Sequence, residues 1–249
     1  ASMKRQELSI RRHQHSEALD EAAAFLEEYD LHKHVIYRCM VGSHAYGLAG
    51  EHSDEDRRGI YLPPADLHWS LFSVPEQLEN QDAEECYWEL QKFLTLALKG
   101  NPNILECLYT PLVEHATDLA CELLGLRQRF LSKIIYQTYN GYALGQFKKL
   151  EQDLRTGGEV KWKHVMHLIR LLSCGIHALR EETIRVEVGE YRERYLAIKR
   201  GEVPWAEVDA WRLRLHEEFE REYNRTRLPD RPDYRAANDY LIRARRSMV

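Results

Sequence analysis

At 249 residues, with 44% hydrophobic and 30% charged side chains, the chain has the balance of a folded protein of one or two domains, which excludes a disordered tract. Lys and Arg total 35 against 40 Asp and Glu, a net charge of −5, so contact with a polyanion would need a local basic patch. No apolar run approaches the roughly 20 residues of a membrane span, and no apolar stretch follows Lys4, Arg5, Arg11 and Arg12, so neither membrane contact nor a signal peptide is expected.

Residues 15–29 carry the pattern of an amphipathic helix, and Val35–Val41 that of a buried strand ending at Gly42. A turn or short helix follows from Ala45, and Asp56–Leu62 forms a second strand stopped by Pro63 and Pro64. A third strand is expected over about Glu84–Trp88, then a helix over Glu89–Lys99 with Gly100 suited to the left-handed position after it. Beyond residue 110 the pattern turns helical, at 117–131, 133–155, 161–181, 189–200, 204–224 and 233–246, with a short alternating run at Ile184–Val188. Tyr136, Tyr139, Tyr142 and Phe147 sit at helical spacing and read as core. The outcome is an α/β head of about 115 residues (1–115) and an all-helical tail (116–249). Five scattered cysteines, Cys39, Cys86, Cys107, Cys121 and Cys174, form no CxxC pair and read as reduced thiols of a cytoplasmic protein.

The stretch VGSHAYGLAGEHSDEDRRGIYL, residues 41–62, carries the chemistry. A strand runs into Gly42–Ser43, and eleven residues after Ser43 the acids Asp54, Glu55 and Asp56 open the next strand. Strand alternation places Asp54 and Asp56 on one face and Glu55 on the other. Two neighbouring carboxylates repel unless a cation lies between them, and magnesium or manganese, hard ions with oxygen ligands, fits that place. Gly42 lets a phosphate approach the backbone and Ser43 offers a hydroxyl beside exposed N–H groups. A phosphate cradle facing a carboxylate-held metal is the layout of nucleotidyl transfer.

Helix 161–181 carries a second feature. At about 100° per residue, Lys163, His167, Arg170, Cys174 and His177 fall within a stripe of roughly 80°, on a helix that is apolar around most of its circumference. Such a stripe is expected to look into a cleft. The last 25 residues add seven arginines against three aspartates, a basic tail that could reach toward RNA.

Gly42-Ser43-His44-Ala45-Tyr46-Gly47 followed by Ser53-Asp54-Glu55-Asp56-Arg57-Arg58-Gly59 resembles the polymerase-β-type nucleotidyltransferases, and within them the RNA-repair-pathway polymerase-β-like (RlaP-like) family. Leu90-Gln91-Lys92-Phe93, Gly100 to Glu106 and Lys163 to Leu172 extend the similarity over about residues 35–180. The resemblance implies an α+β protein, with a small mixed β-sheet nucleotidyltransferase head and an all-helical C-terminal bundle. It implies NMP transfer from an NTP to a hydroxyl, an RNA end as acceptor, and release of pyrophosphate. Asp54 and Asp56 would hold the metal. Asp82, Glu84 and Glu85 are candidates for a third carboxylate; the family's acid six residues before the position of Leu90 selects Glu84 for metal binding and for activating the acceptor. Gly42 and Ser43 would hold the triphosphate, with His44, Ser53, Arg58, Lys163, His167 and Arg170 completing the nucleotide-binding set. Two other readings remain: a non-catalytic nucleotide- or RNA-binding module, and a HEPN-like ribonuclease built on Arg170 and His177, whose spacing matches that motif.

Overall fold

The computed structural model describes residue 17 and residues 20–249, so the basic positions Lys4, Arg5, Arg11 and Arg12 lie outside the described residues. Of the helix expected over 15–29, residues 20–27 are helical. The strands are β1 (Val35–Met40), β2 (Arg57–Tyr61), β3 (Gln77–Asn80), β4 (Glu85–Glu89) and β5 (Val113–Ala116). They form one mixed sheet in the order β3-β4-β2-β1-β5, in which β2 and β4 run parallel and the other neighbours antiparallel. This is the α+β class that the sequence implies. Strands β3 and β5 are not among the expected ones. Each has four residues, largely exposed, and therefore lacks the apolar alternation that marks a strand.

The helices of the head are α1 (Gly42–Tyr46), α2 (Ala65–Trp69), α3 (Leu90–Leu98), α4 (Pro102–Tyr109) and α5 (Asp118–Gly125). After them come α6 (Tyr142–Arg155), α7 (Trp162–Glu181), α8 (Arg192–Lys199), α9 (Trp205–Arg225) and α10 (Tyr234–Arg246). Local capping explains several ends. The Glu89 carboxylate accepts from the Gln91 N–H at the start of α3, and Gly100 takes φ +69 just beyond its end. At α4, Asn101 caps the backbone N–H groups of Asn103 and Ile104, and Pro102 fills the first turn.

Two expected helices are divided. Residues 117–131 form α5 and then a 3₁₀ turn at Arg127–Phe130. Ahead of α6, residues Tyr136–Gly141 form a π-helical turn. A π turn takes in an extra residue and breaks the α-helical phase. Tyr139 and Phe147 therefore reach the core and Tyr136 packs between Phe219 and Tyr223, whereas Tyr142 points outward with 52% of its surface exposed. The Ile184–Val188 run forms no strand; it buries Ile184 and Val186 and ties back to α1 through the Val188 N–H and the Tyr46 carbonyl.

The main core runs from one face of the sheet, through Cys39, Ile60 and Phe93, to Ile169 on α7, Phe219 on α9 and Tyr240 on α10. Burying each such phenylalanine stabilises the fold by about 1.5–3 kcal/mol, so the sheet and the helical part are held by one continuous apolar contact. A smaller core of Leu31, Val35, Tyr61, Leu67 and Tyr87 lies apart from it. Gly59 at the centre of β2 is required by packing, since a Cβ there would lie 1.9 Å from the Tyr37 carbonyl oxygen. The end of α10 returns to the head, where Arg245 pairs with Glu89 and the Met248 carbonyl accepts from the Ala65 N–H. Among the tail arginines, Arg243 pairs with Glu122 and Arg227 with Glu182, so much of the basic charge is matched within the fold.

Candidate active site

Strand β1 ends at Met40, and Val41, in extended conformation, leads directly into α1. Gly42 starts that helix at φ +70, a left-handed conformation that a side chain resists. A second constraint is spatial: a Cβ on Gly42 would stand 2.4 Å from the Asp56 Oδ2. The Val41 N–H donates to the Asp56 carbonyl at 2.9 Å, fixing the turn against the residue that precedes β2. The glycine turn and the Asp56 carboxylate thus face one another with no side chain between them. Ser43 is half-buried on the same turn.

The strand begins at Arg57, one residue later than expected, so Asp54 and Asp56 both lie in the lead-in to β2. Asp54 is exposed. The neighbouring loop is held by His44, whose Nε2 lies 3.2 Å from the Ser53 carbonyl, and by the Ser53 hydroxyl, which accepts from the Gly50 N–H. Arg58 donates from Nη2 to Asp56 Oδ1 at 3.3 Å, and from Nη1 to the carbonyls of Arg57 and Glu84 at 2.8 Å each. Its guanidinium therefore bridges the starts of the two parallel strands.

The parallel register pairs Arg57 with Glu85. Glu84 lies just before the ladder, where its carbonyl accepts from the Arg57 N–H at 3.0 Å, while Glu85 shares a face with Arg57. Residues 81–84 form the turn between β3 and β4, so Asp82 is no strand residue and alternation does not apply to it. Glu84 itself takes φ +52. Among the described residues, no group of three or more His, Cys, Asp or Glu side chains is gathered as a metal site. Asp54 and Asp56 carry the hard oxygen donors that would hold a divalent ion such as magnesium.

The stripe on α7 divides. Lys163 is exposed and lines no cavity described here, whereas His167 and Arg170 border a cavity of about 400 Å³ together with Tyr46 of α1. Arg170 is buried, and its Nη1 donates to Glu106 Oε1 at 2.8 Å. The Tyr46 hydroxyl donates to the other Glu106 oxygen at 2.7 Å, and the Arg170 guanidinium lies 3.5 Å from the centre of the Tyr46 ring. Burial opposes the charge on Arg170, but Glu106 outweighs it and holds the guanidinium protonated above its ordinary range. That cation is matched inside the fold. His167 is pushed down to about 4, first by burial and then by the nearby Arg170 and Lys163 charges, so it is neutral at pH 7. Arg170 and His177 also border a second cavity of about 230 Å³, where His177 Nδ1 lies 2.8 Å from the Ser173 carbonyl.

Glu106 and Tyr46, which take up Arg170, have no role assigned from the sequence. The available signal is an acid inside the apolar helix ILECL: a carboxylate there must find a buried cation or lose its charge. Its partner lies 64 positions away and no local pattern announces it.

A curated protein of Bacillus subtilis (strain 168), "Uncharacterized protein YcgL", is 28% identical over 144 residues, which is 56% of this chain and 55% of that protein, so the match spans about half the length of each. The family described as "RNA repair pathway DNA polymerase beta family" (RlaP) matches residues 12–243. That family points to a nucleotidyltransferase-like role. With a match that covers nearly the whole length, the chain belongs to the RNA repair pathway DNA polymerase beta family.

Proposed function

We propose that the protein transfers a nucleoside monophosphate from an NTP to a hydroxyl acceptor, an RNA end, in a reaction dependent on magnesium or manganese. The observation that carries this reading is the close approach of the Gly42 backbone to the Asp56 carboxylate, where a Cβ would meet the carboxylate at 2.4 Å. Backbone N–H groups at the start of α1 and the Ser43 hydroxyl face the triphosphate, with His44 and Ser53 holding the adjoining loop in place. Asp54 and Asp56 hold the divalent ion, which when bound neutralises charge on the phosphoryl oxygens. Glu84 takes the proton of the acceptor hydroxyl. The new bond joins that oxygen to the α-phosphorus, the bond to the bridging oxygen breaks, and pyrophosphate leaves. Arg58, already on Asp56, is placed to counter the charge that develops. All five cysteines are free thiols, which suits a reducing compartment such as the cytoplasm.

The test is incubation with each α-labelled NTP, Mg²⁺ or Mn²⁺, and RNAs with defined ends. Label is expected on RNA, with pyrophosphate released; label on a small molecule or protein instead would correct the acceptor. Absence of transfer to every acceptor, with NTP still bound, would favour a non-catalytic nucleotide-binding module. One observation leans that way: the Arg58 guanidinium already neutralises Asp56 without a metal.

A further inference from the structure

We infer that the cavity of about 400 Å³ between α1, α4, α6 and α7 seats an uncharged planar heterocycle, the nucleobase of the donor nucleotide. This deepens the proposed function and rests on it for the word donor; the chemistry of the cavity stands by itself. The expectation it replaces is that the α7 stripe clamps phosphate.

Position is the first argument. Helix α3 leaves the end of β4 and packs back along it, so Asn101 and Asn103 return to the edge of the sheet where β1 passes into α1. Tyr46 closes α1 four residues after Gly42, about 6 Å along a helix axis at 1.5 Å per residue. The cavity wall and the glycine turn are therefore two ends of one short helix. A ligand with its phosphates at Gly42 has its other end at Tyr46.

Charge is the second. The Arg170 guanidinium is matched by Glu106 at 2.8 Å, His167 is neutral, burial and the neighbouring Lys161 lower His164 as well, and Lys163 stands outside. No carboxylate lines the cavity. The Arg170 Nε is a buried donor with no partner among the described residues, but the charge of the group is matched by Glu106, so the flat rings and amides of the lining suit an uncharged base better than a triphosphate.

Unused bonding capacity is the third. His167 has an edge contact with the Tyr46 ring, centroids 6.1 Å apart, but neither ring nitrogen hydrogen-bonds to a described residue. A neutral imidazole offers one donor and one acceptor, the two functions a base edge presents. Asn101 gives its carbonyl oxygen to the helix cap, which leaves its amide N–H₂ uncommitted, and Asn103 is exposed beside it. Tyr142, turned out of the core by the π-helical turn, stands at the mouth with 52% of its surface exposed, a ring ready to stack.

The experiment measures binding of adenosine, guanosine, cytidine and uridine, and separately of inorganic tripolyphosphate, to the full chain by saturation-transfer NMR and calorimetry. At least one nucleoside is expected to bind. Tyr142→Ala, which removes an exposed ring and leaves the fold intact, is expected to weaken that nucleoside roughly five- to a hundred-fold, the usual range for a lost stacking contact. His167→Leu is expected to weaken it too, and tripolyphosphate is expected to bind both variants as it binds wild type. Failure of all four nucleosides to bind would overturn the inference, as would a loss of tripolyphosphate affinity in Tyr142→Ala and His167→Leu equal to the loss of NTP affinity. Asp56→Ala separates the two readings, because it removes transfer but not nucleoside binding. If wild type shows no transfer yet binds nucleosides through Tyr142, the proposed function fails and the base site stands. If transfer proceeds but nucleosides do not bind, only the base site falls.

Discussion

The Arg58–Asp56 pair at the start of the central strand and the Arg170–Glu106 pair beneath α1 join the same two chemical groups in different surroundings. The first is 3.3 Å long, with side chains 26% and 30% exposed; the second is 2.8 Å long, at 8% and 3%. Water reaches the first pair and weakens it, so a metal ion or phosphate can exchange with either partner at small cost. Around the second, Tyr46 satisfies the remaining carboxylate oxygen and covers the guanidinium, so the pair has no alternative partner. One acid–arginine pair is open to exchange with solvent and ions, and the other fixes the end of α1 against α4 and α7.

The largest expected effect is at the exposed side. Asp54→Ala and Asp56→Ala are each expected to abolish NMP transfer while leaving thermal stability nearly unchanged, because Asp54 is exposed and water already weakens the Asp56–Arg58 pair. Near-normal turnover of either variant at saturating Mg²⁺ would remove these residues from the site.

Next comes the buried pair, where the effect is on stability. Arg170→Ala leaves the Glu106 carboxylate uncompensated and is expected to cost about 3–5 kcal/mol in urea unfolding. Arg170→Met combined with Glu106→Leu should recover part of that loss, since no charge is then left unpaired. If Arg170→Ala costs less than about 1 kcal/mol, the contrast between the pairs is wrong.

A smaller effect is expected from pH. His167 is neutral in the fold down to about 4, against an ordinary 6.5, and His216 is depressed to about 4 by burial and Arg212. The unfolded chain therefore binds more protons between those values. Stability is full above pH 6.5 and falls as pH drops toward 4. His167→Leu should flatten the melting temperature between pH 6.5 and 4; an unchanged slope would show that His167 is protonated in the fold.

The smallest effect belongs to Arg58→Gln, which should alter unfolding free energy by less than about 1 kcal/mol. Its use is diagnostic. If this variant binds Mn²⁺ more tightly, as followed by the loss of the free Mn²⁺ paramagnetic signal, the guanidinium competes with metal for Asp56. If it is destabilised as much as Arg170→Ala, the pair at the start of the central strand is structural.

Much of this was legible in the sequence, for reasons that are local. The end of the first strand at Gly42 and the left-handed Gly100 after α3 each express chemistry carried within a few residues and appear where they were expected, whereas the strand after Asp56 starts one residue late and leaves both aspartates outside it. Helix α7 was legible in its bounds because twenty residues of apolar period outweigh any neighbour. The short strands β3 and β5 were not, since their hydrogen-bonding partners, rather than their side chains, make them strands.

The sequence by itself determined the class of the fold, the glycine turn and the face of α7 that holds His167 and Arg170, because periodicity and backbone preference act over one or two turns of chain. Only the tertiary structure decided what that face does. Arg170 reads as a free cation until Glu106 and Tyr46, 64 and 124 positions away, take it up. His167 reads as a titrating group until burial makes it neutral, and Tyr142 reads as core until a π-helical turn shifts its phase. Charge and exposure depend on what surrounds a residue in three dimensions, and distant parts of the chain supply those surroundings.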